Sequence, residues 1–240
     1  MQSIKIVSLH FSYPTKKEIL SHINLDAEGP QSIGIIGANG VGKSTLLKLL
    51  VGLQPYSYGT ITINQLPLIK SNLPHLRQQV GYVFQEAQHQ LFMSTVFEDV
   101  AFGPRNYGYP PKDVYLRVME ALQKVHMEAF KDEPIYQLSG GQKKLVSIAT
   151  ILSMTPNIIL LDEPSSGLDP RNRKQLMTIL NAMKLLKIIA SHDLDFIYDT
   201  CERTLLLSKG TLVADGPTRE ILRDENLLIN NGLELPLRLQ

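Results

Sequence analysis

Residues Gly37-Ala38-Asn39-Gly40-Val41-Gly42-Lys43-Ser44-Thr45 fit the pattern G-x-x-x-x-G-K-[ST]. Its glycines tolerate positive φ and let backbone N–H groups crowd around phosphate oxygens. A helix starting near Lys43 adds the partial positive charge of its N-terminus. Lys43 can reach the β- and γ-phosphates of a nucleotide, and the Ser44 hydroxyl can ligate Mg²⁺. Further on, Ile158-Ile159-Leu160-Leu161 runs into Asp162-Glu163. A buried parallel strand reads as such an unbroken apolar run, and ligands bind beyond the carboxyl ends of such strands. Asp162 is placed to hold Mg²⁺, directly or through water, and Glu163 to polarise an attacking water. Alone, this pair also fits a solvated turn or a helix cap. A third motif, Leu138-Ser139-Gly140-Gly141-Gln142, precedes a helical stretch, Lys144–Leu152. It offers a second helix N-terminus to a second phosphate, or a plain cap, for which Ser139 is suited.

Elements must put these groups in place. Ile4–Tyr13, Ile19–Leu25, Ser32–Ile36, Thr60–Asn64 and Val80–Gln85 read as strands, and Lys43–Leu53 carries leucines at helical spacing. Strand, glycine-rich turn and helix thus follow in the order a phosphate loop needs. Thr95–Ser153 is mainly helical, with Val114, Val118, Ala121, Leu122 and Val125 on one face. Gly103–Pro111, with three prolines and two glycines, reads as a loop. From Asn157 short strands return: Ile158–Leu161, Leu186–Ala190, Thr204–Leu207 and Thr211–Ala214. The pattern predicts a parallel α/β core split by a helical insert of about 60 residues.

Composition narrows the function. The chain has 240 residues, 43% hydrophobic and 20% charged, with 24 basic and 23 acidic side chains. A net charge of +1 gives no global reason to expect nucleic acid. One cysteine, Cys201, excludes an internal disulfide and a cysteine-rich metal site, and fits a reducing compartment. No apolar run reaches the roughly 20 residues of a membrane span, and no signal peptide is read. A membrane role therefore calls for a partner.

Taken together, the motifs resemble the nucleotide-binding subunit of ATP-binding-cassette (ABC) transporters, in that family's order from Tyr13 to His192. The resemblance implies one ABC ATPase domain over 1–240. Its P-loop core would have a mainly parallel sheet and an N-terminal antiparallel β subdomain (about 1–87 and 157–240), with a helical subdomain at about 88–156. It also implies roles. Tyr13 would stack on adenine. Gln85 would contact Mg²⁺ and the attacking water and sense the membrane partner. Ser166-Gly167-Leu168-Asp169 would cross a dimer interface, and His192 would contact the γ-phosphate. The other five histidines show no metal-site spacing. Metal chemistry should be Mg²⁺ held by phosphates, Ser44, Gln85 and Asp162.

The stretch from Gln85 to Pro104, with Gln90-Leu91-Phe92 and Glu98-Asp99-Val100-Ala101-Phe102-Gly103-Pro104, resembles the ATPases of energy-coupling-factor importers of the cobalt and nickel (CbiO) type. LSGGQKK at Leu138–Lys144, the Gly216-Pro217 region and Gly232-Leu233-Glu234-Leu235-Pro236 fit the same branch. Leu145 stands where the family usually has arginine, and the chain ends at Gln240 without the longer extension common in shared vitamin-importer modules. The resemblance implies an ATPase that energises cobalt or nickel import, with a vitamin such as biotin as the alternative cargo. Because one subunit's signature completes the other's site, it implies an ATP-sandwiched head-to-tail dimer with a second copy or a paralogous ATPase. Its other partners would be a transmembrane coupling subunit and a substrate-binding membrane subunit, met at the cytoplasmic face of the membrane. A soluble ABC protein acting on nucleic acid would usually carry two cassettes or long coiled-coil inserts, and neither is present. A switch that binds without hydrolysing would not need Glu163 and His192.

Overall fold

The computed structural model describes residues 2–14, 18–56 and 58–240. β1 (Ser3–Phe11) and β2 (Leu20–Glu28) pair antiparallel. β3 (Ser32–Ile36) leads through the glycine-rich turn into α1 (Lys43–Leu50). The helix stops three residues before the predicted Leu53, where Gly52 takes φ +63° and turns the chain away. β4 (Tyr58–Ile63), β5 (Leu66–Pro67), α2 (Leu73–Gln79) and β6 (Val80–Val83) follow. The helical stretch holds α3 (Val96–Asn106), α4 (Pro111–Lys124) and α5 (Gly140–Leu152). Then come β7 (Ile158–Asp162), α6 (Pro170–Ala182), β8 (Leu186–Ala190), α7 (Leu194–Thr200), β9 (Arg203–Ser208) and β10 (Thr211–Pro217). α8 (Thr218–Ile221) and α9 (Glu225–Asn230) close the chain.

The strands form an antiparallel sheet, β2-β1-β4-β5, and a six-stranded sheet, β10-β9-β3-β8-β7-β6. In the second sheet β9, β3, β8, β7 and β6 run parallel and only β10 is antiparallel. The sequence expectation of a mainly parallel core with an antiparallel N-terminal layer therefore holds. Its continuous apolar strands follow from burial on both faces. Ile158 and Leu160 pack toward α1 and the antiparallel sheet, whereas Ile159 and Leu161 pack toward α3–α7. Parallel strands also present their carboxyl ends along one edge. The ends of β3, β6, β7 and β8 place the glycine-rich loop, Gln85, Asp162-Glu163 and His192 there.

One expectation fails. Gly103–Pro111 does not form a loop throughout, because α3 continues through Pro104 to Asn106. Pro104 lacks the N–H that a helix would give to the Val100 carbonyl. The buried Ser153 hydroxyl, just past the end of α5, lies 2.9 Å from that carbonyl and 2.9 Å from the Thr150 carbonyl, so its one proton is shared between the two. A side chain more than fifty residues away thus satisfies the acceptor, which no local signal reveals. Ser153→Ala is expected to destabilise the fold by about 1–3 kcal/mol, the cost of a buried unsatisfied acceptor. The readout is the urea midpoint at unchanged slope.

Candidate active site

A cavity of about 480 Å³ opens at the carboxyl edge of the parallel strands. The glycine-rich turn forms its floor. Gly37 takes φ +149°, and a Cβ there would lie 2.2 Å from the Leu207 carbonyl oxygen, so only glycine fits. Gly42, at φ +112°, is the N-cap of α1 and aims that helix at the cavity. Lys43 is buried, and its Nζ donates to the carbonyls of Gly37 (2.8 Å) and Ala38 (3.3 Å). Burial lowers its pKa, while the Glu163 and Asp162 carboxylates oppose the shift.

Asp162, at the end of β7, is held from two sides. Ser44 Oγ donates to its Oδ1 at 2.8 Å and the buried Tyr82 hydroxyl to its Oδ2 at 3.0 Å. Burial first, and then the Asp162 charge, drive the Tyr82 pKa up, so Tyr82 stays a donor. Glu163 follows with φ +45°, a left-handed backbone that non-glycine residues rarely take and that gathers at functional sites. Its N–H donates to the Ala190 carbonyl at 2.8 Å. Its buried Oε2 accepts from Ser191 Oγ (3.2 Å), the His192 backbone N–H (3.2 Å) and His192 Nδ1 (2.7 Å). The His192 ring is more than half exposed at the cavity.

Tyr13, Asn39, Gly40, Thr45 and Gln85 complete the lining among the predicted residues. The Tyr13 hydroxyl lies 3.3 Å from Thr45 Oγ1, which fixes its ring at the rim. Val41 and Ala38 border an adjoining depression. The structure does not bring Ser139–Gln142 or Ser166–Asp169 to this cavity. Gly140, Ser166, Gly167 and Leu168 instead line a separate depression with Gln85. Within the chain, Ser139 caps α5: its Oγ accepts from the Gln142 N–H, and Gln142 Oε1 accepts from the Ser139 N–H. Asp169 caps α6 by accepting from the Asn172 N–H at 2.9 Å.

Sequence reasoning missed four groups. Tyr82 and Ser191 orient the two carboxylates, and Ile19 lines the cavity. A buried tyrosine needs a polar partner, so Tyr82 in an apolar strand was a readable signal. Arg173 of α6 makes two bonds to Asp193, the residue after His192, at 2.9 and 3.1 Å. Burial, the largest single influence, acts to raise the Asp193 pKa, but the Arg173 bonds and charge, the Phe196 N–H and His192 together outweigh it, and the net shift is downward. The pair therefore stabilises the fold above the ordinary aspartate pKa, and that contribution is lost as pH falls through the lowered value. The stability gap between wild type and Arg173→Met should narrow as pH falls below the ordinary aspartate value of about 4, as read by thermal melts.

Residues 20–166 match the ABC transporter family. A putative ABC transporter ATP-binding protein of Geobacter sulfurreducens is 46% identical over 237 residues, covering 99% of this chain and 95% of that protein. The chain belongs to the ABC transporter ATP-binding family. This ABC ATPase lies close to the energy-coupling-factor branch. The energy-coupling factor transporter ATP-binding protein EcfA of Methanothermobacter thermautotrophicus is 41% identical over 238 residues, 97% of this chain and 76% of that one. The structure of cbiO1 from Clostridium perfringens, described as part of the ABC transporter complex cbiONQ, superposes with a TM-score of 0.85 at 33% identity. It covers 95% of this chain and 93% of its own. The dimeric cassette MJ0796, solved with ADP and phosphate, gives a TM-score of 0.81 at 26% identity over 90% of this chain and 99% of its own. Like its family, the ABC ATPase binds ATP and hydrolyses it for transport. Among the described residues, no helix is long and apolar enough to cross a membrane. Leu145, where the family usually has arginine, is buried in the core on the helical side of the parallel sheet and does not line the cavity.

Proposed function

We propose that this ABC ATPase energises an energy-coupling-factor importer, for cobalt or nickel ions. The observation that carries the mechanism is the gathering of Lys43, Ser44, Glu163 and His192 at one cavity, with Asp162 bonded to Ser44 just behind its lining and the Ser139–Gln142 turn outside it. A single chain then supplies only half of a site. Two copies, or this chain and a paralogue, would sandwich ATP so that Ser139, Gly140, Gly141 and Gln142 of each close over the other's nucleotide. Ser166–Asp169 would lie along that interface. Likeness to a cassette solved as a dimer supports this arrangement. Likeness to EcfA, an energy-coupling factor transporter protein, and to cbiO1, part of the transporter complex cbiONQ, supports membrane partners, which the chain would meet at the cytoplasmic face. The metal cargo rests on the resemblance of Gln85–Pro104 to the cobalt and nickel type.

In the bound state the α1 N–H groups and Lys43 would neutralise the β- and γ-phosphates. Tyr13 would stack on adenine. His192 would hold the γ-phosphate, and Glu163 would orient or deprotonate water, while Gln85 reports the γ-phosphate to the membrane side. Such phosphoryl transfer is positioning plus charge neutralisation. Mg²⁺ fits the site: Ser44 Oγ and Asp162 Oδ1 are hard oxygen donors 2.8 Å apart beside the phosphate loop, and Gln85 lines the same cavity as Ser44. Among the described residues no three His, Cys, Asp or Glu side chains gather to hold a metal ion, so phosphate oxygens would complete the coordination. The ion would supply charge neutralisation at the β- and γ-oxygens.

The test is light scattering after size exclusion on Glu163→Gln with and without Mg-free ATP. A shift from monomer to dimer on adding ATP is expected. A monomer at saturating ATP, even with membrane partners added, overturns the composite site. The cargo is tested by co-expressing the chain with candidate membrane subunits and measuring uptake of radiolabelled cobalt, nickel and biotin. ATP-dependent biotin uptake without metal uptake overturns the metal assignment.

A further inference from the structure

Lys144 is an ammonium with 3% of its surface exposed, and among the described residues it forms no salt bridge. Burying a charge is unfavourable, and the Asp162 and Glu163 carboxylates, which act on Lys144 without a direct contact, only partly offset the cost. An apolar side chain of similar length would pack there at lower cost. The ammonium instead donates to two consecutive carbonyls, Phe84 at 3.1 Å and Gln85 at 2.6 Å. These residues directly follow β6, and Gln85 lines the nucleotide cavity. Lys144 lies on α5, one turn after the Ser139–Gln142 cap.

A second strap holds the preceding peptide, between Val83 and Phe84. Gln90 folds back so that its Oε1 accepts from the Phe84 N–H at 3.2 Å. Its Nε2 donates to the Ser147 carbonyl at 2.6 Å and lies 2.7 Å from Thr150 Oγ1, both on α5. Ser147 Oγ in turn donates to the Lys144 carbonyl at 2.7 Å. The far end of the loop is fixed too, because the buried Asp99 of α3 accepts from the Phe92 and Met93 N–H groups. The Gln85 side chain stays exposed while its backbone is clamped to α5.

We propose that Lys144 and Gln90 are positioning residues that fasten Gln85 to α5, so that contact between Gln85 and nucleotide in one site shifts the Ser139–Gln142 turn presented to the other. This rests on the composite-site reading above. The clamp converts a flexible loop contact into movement of a thirteen-residue helix, whose N-terminus is the partner-facing turn. Lys144 suits the task because a single flexible ammonium can donate to both carbonyls at once.

The experiment measures steady-state phosphate release against ATP concentration for the full chain carrying Lys144→Met, Gln90→Leu or Lys144→Arg. It also measures ATP-dependent dimerisation of the first two in a Glu163→Gln background. Both Lys144→Met and Gln90→Leu should keep KM for ATP within about twofold and lose about tenfold in kcat, the scale of a sub-ångström to ångström misplacement. Their ATP-dependent dimer should need about tenfold more protein to form. Lys144→Arg, which keeps the donors, should recover most of kcat. Gln90→Leu buries no charge and carries the test should Lys144→Met not fold. Wild-type protein that hydrolyses and dimerises beside variants of unchanged kcat, or of altered KM alone, overturns this inference and leaves the composite site standing. Wild-type protein that does neither overturns both.

Discussion

Glu163→Gln lowers ATP turnover by roughly 10²- to 10⁴-fold, the usual worth of a general base, and leaves ATP affinity within about threefold. The geometry argues for this split. Glu163 has 6% of its surface exposed, and its carboxylate is oriented by Ser191 and His192. Among the described residues it makes no hydrogen bond or salt bridge to the α1 N-terminus that would carry the phosphates. Glutamine has the same shape, and its amide oxygen can still accept from the His192 N–H. It cannot take a proton from water. A residue whose task were only to brace the turn after β7 would tolerate the change, because the left-handed backbone and the bond to the Ala190 carbonyl remain. Single-turnover phosphate release with saturating ATP separates the cases. Loss of rate at unchanged nucleotide binding supports a base, and a wild-type rate assigns the role elsewhere.

The sequence made this site legible where chemistry and local structure share one stretch of chain. Gly37–Thr45 carries its glycines, lysine and hydroxyl in nine consecutive residues, and Ile158–Glu163 announces both a buried strand and the acids at its end. The fold follows from the same segments, because strands buried on both faces admit few layer arrangements. What stayed hidden depends on pairs far apart in sequence. Tyr82 holds Asp162 from eighty positions away, Ser153 rescues the carbonyl left by Pro104, and Lys144 grips Gln85 from a different element. Each looks ordinary in its own window: an aromatic in a strand, a serine at a helix end, a lysine in a helix. α2 went unread for a related reason. It is a single seven-residue stretch with one buried side chain, Leu76, too little for a helical period to show.

Composite sites make a second, sharper expectation. Lys43→Ala and Ser139→Arg should each abolish turnover as pure proteins, the first by removing the cation beside the phosphates, the second by placing a bulky cation in the turn offered to the partner. Equal mixing should restore about a quarter of wild-type activity. Half of the randomly formed dimers are mixed, and each mixed dimer holds one site whose loop and turn are both intact. The other site in that dimer collects both substitutions. Neither change threatens the fold by much. Loss of the Ser139 cap costs about 1 kcal/mol, and Lys43 is a buried ammonium whose pKa is already lowered by burial. A site made within one chain predicts no recovery at any ratio, because each protomer would keep its own defect. Activity plotted against mixing ratio therefore decides between the two. A maximum near equal proportions requires residues from two chains at one nucleotide, and a flat zero shows that the Ser139–Gln142 turn serves its own protomer or that both sites must be whole before either fires.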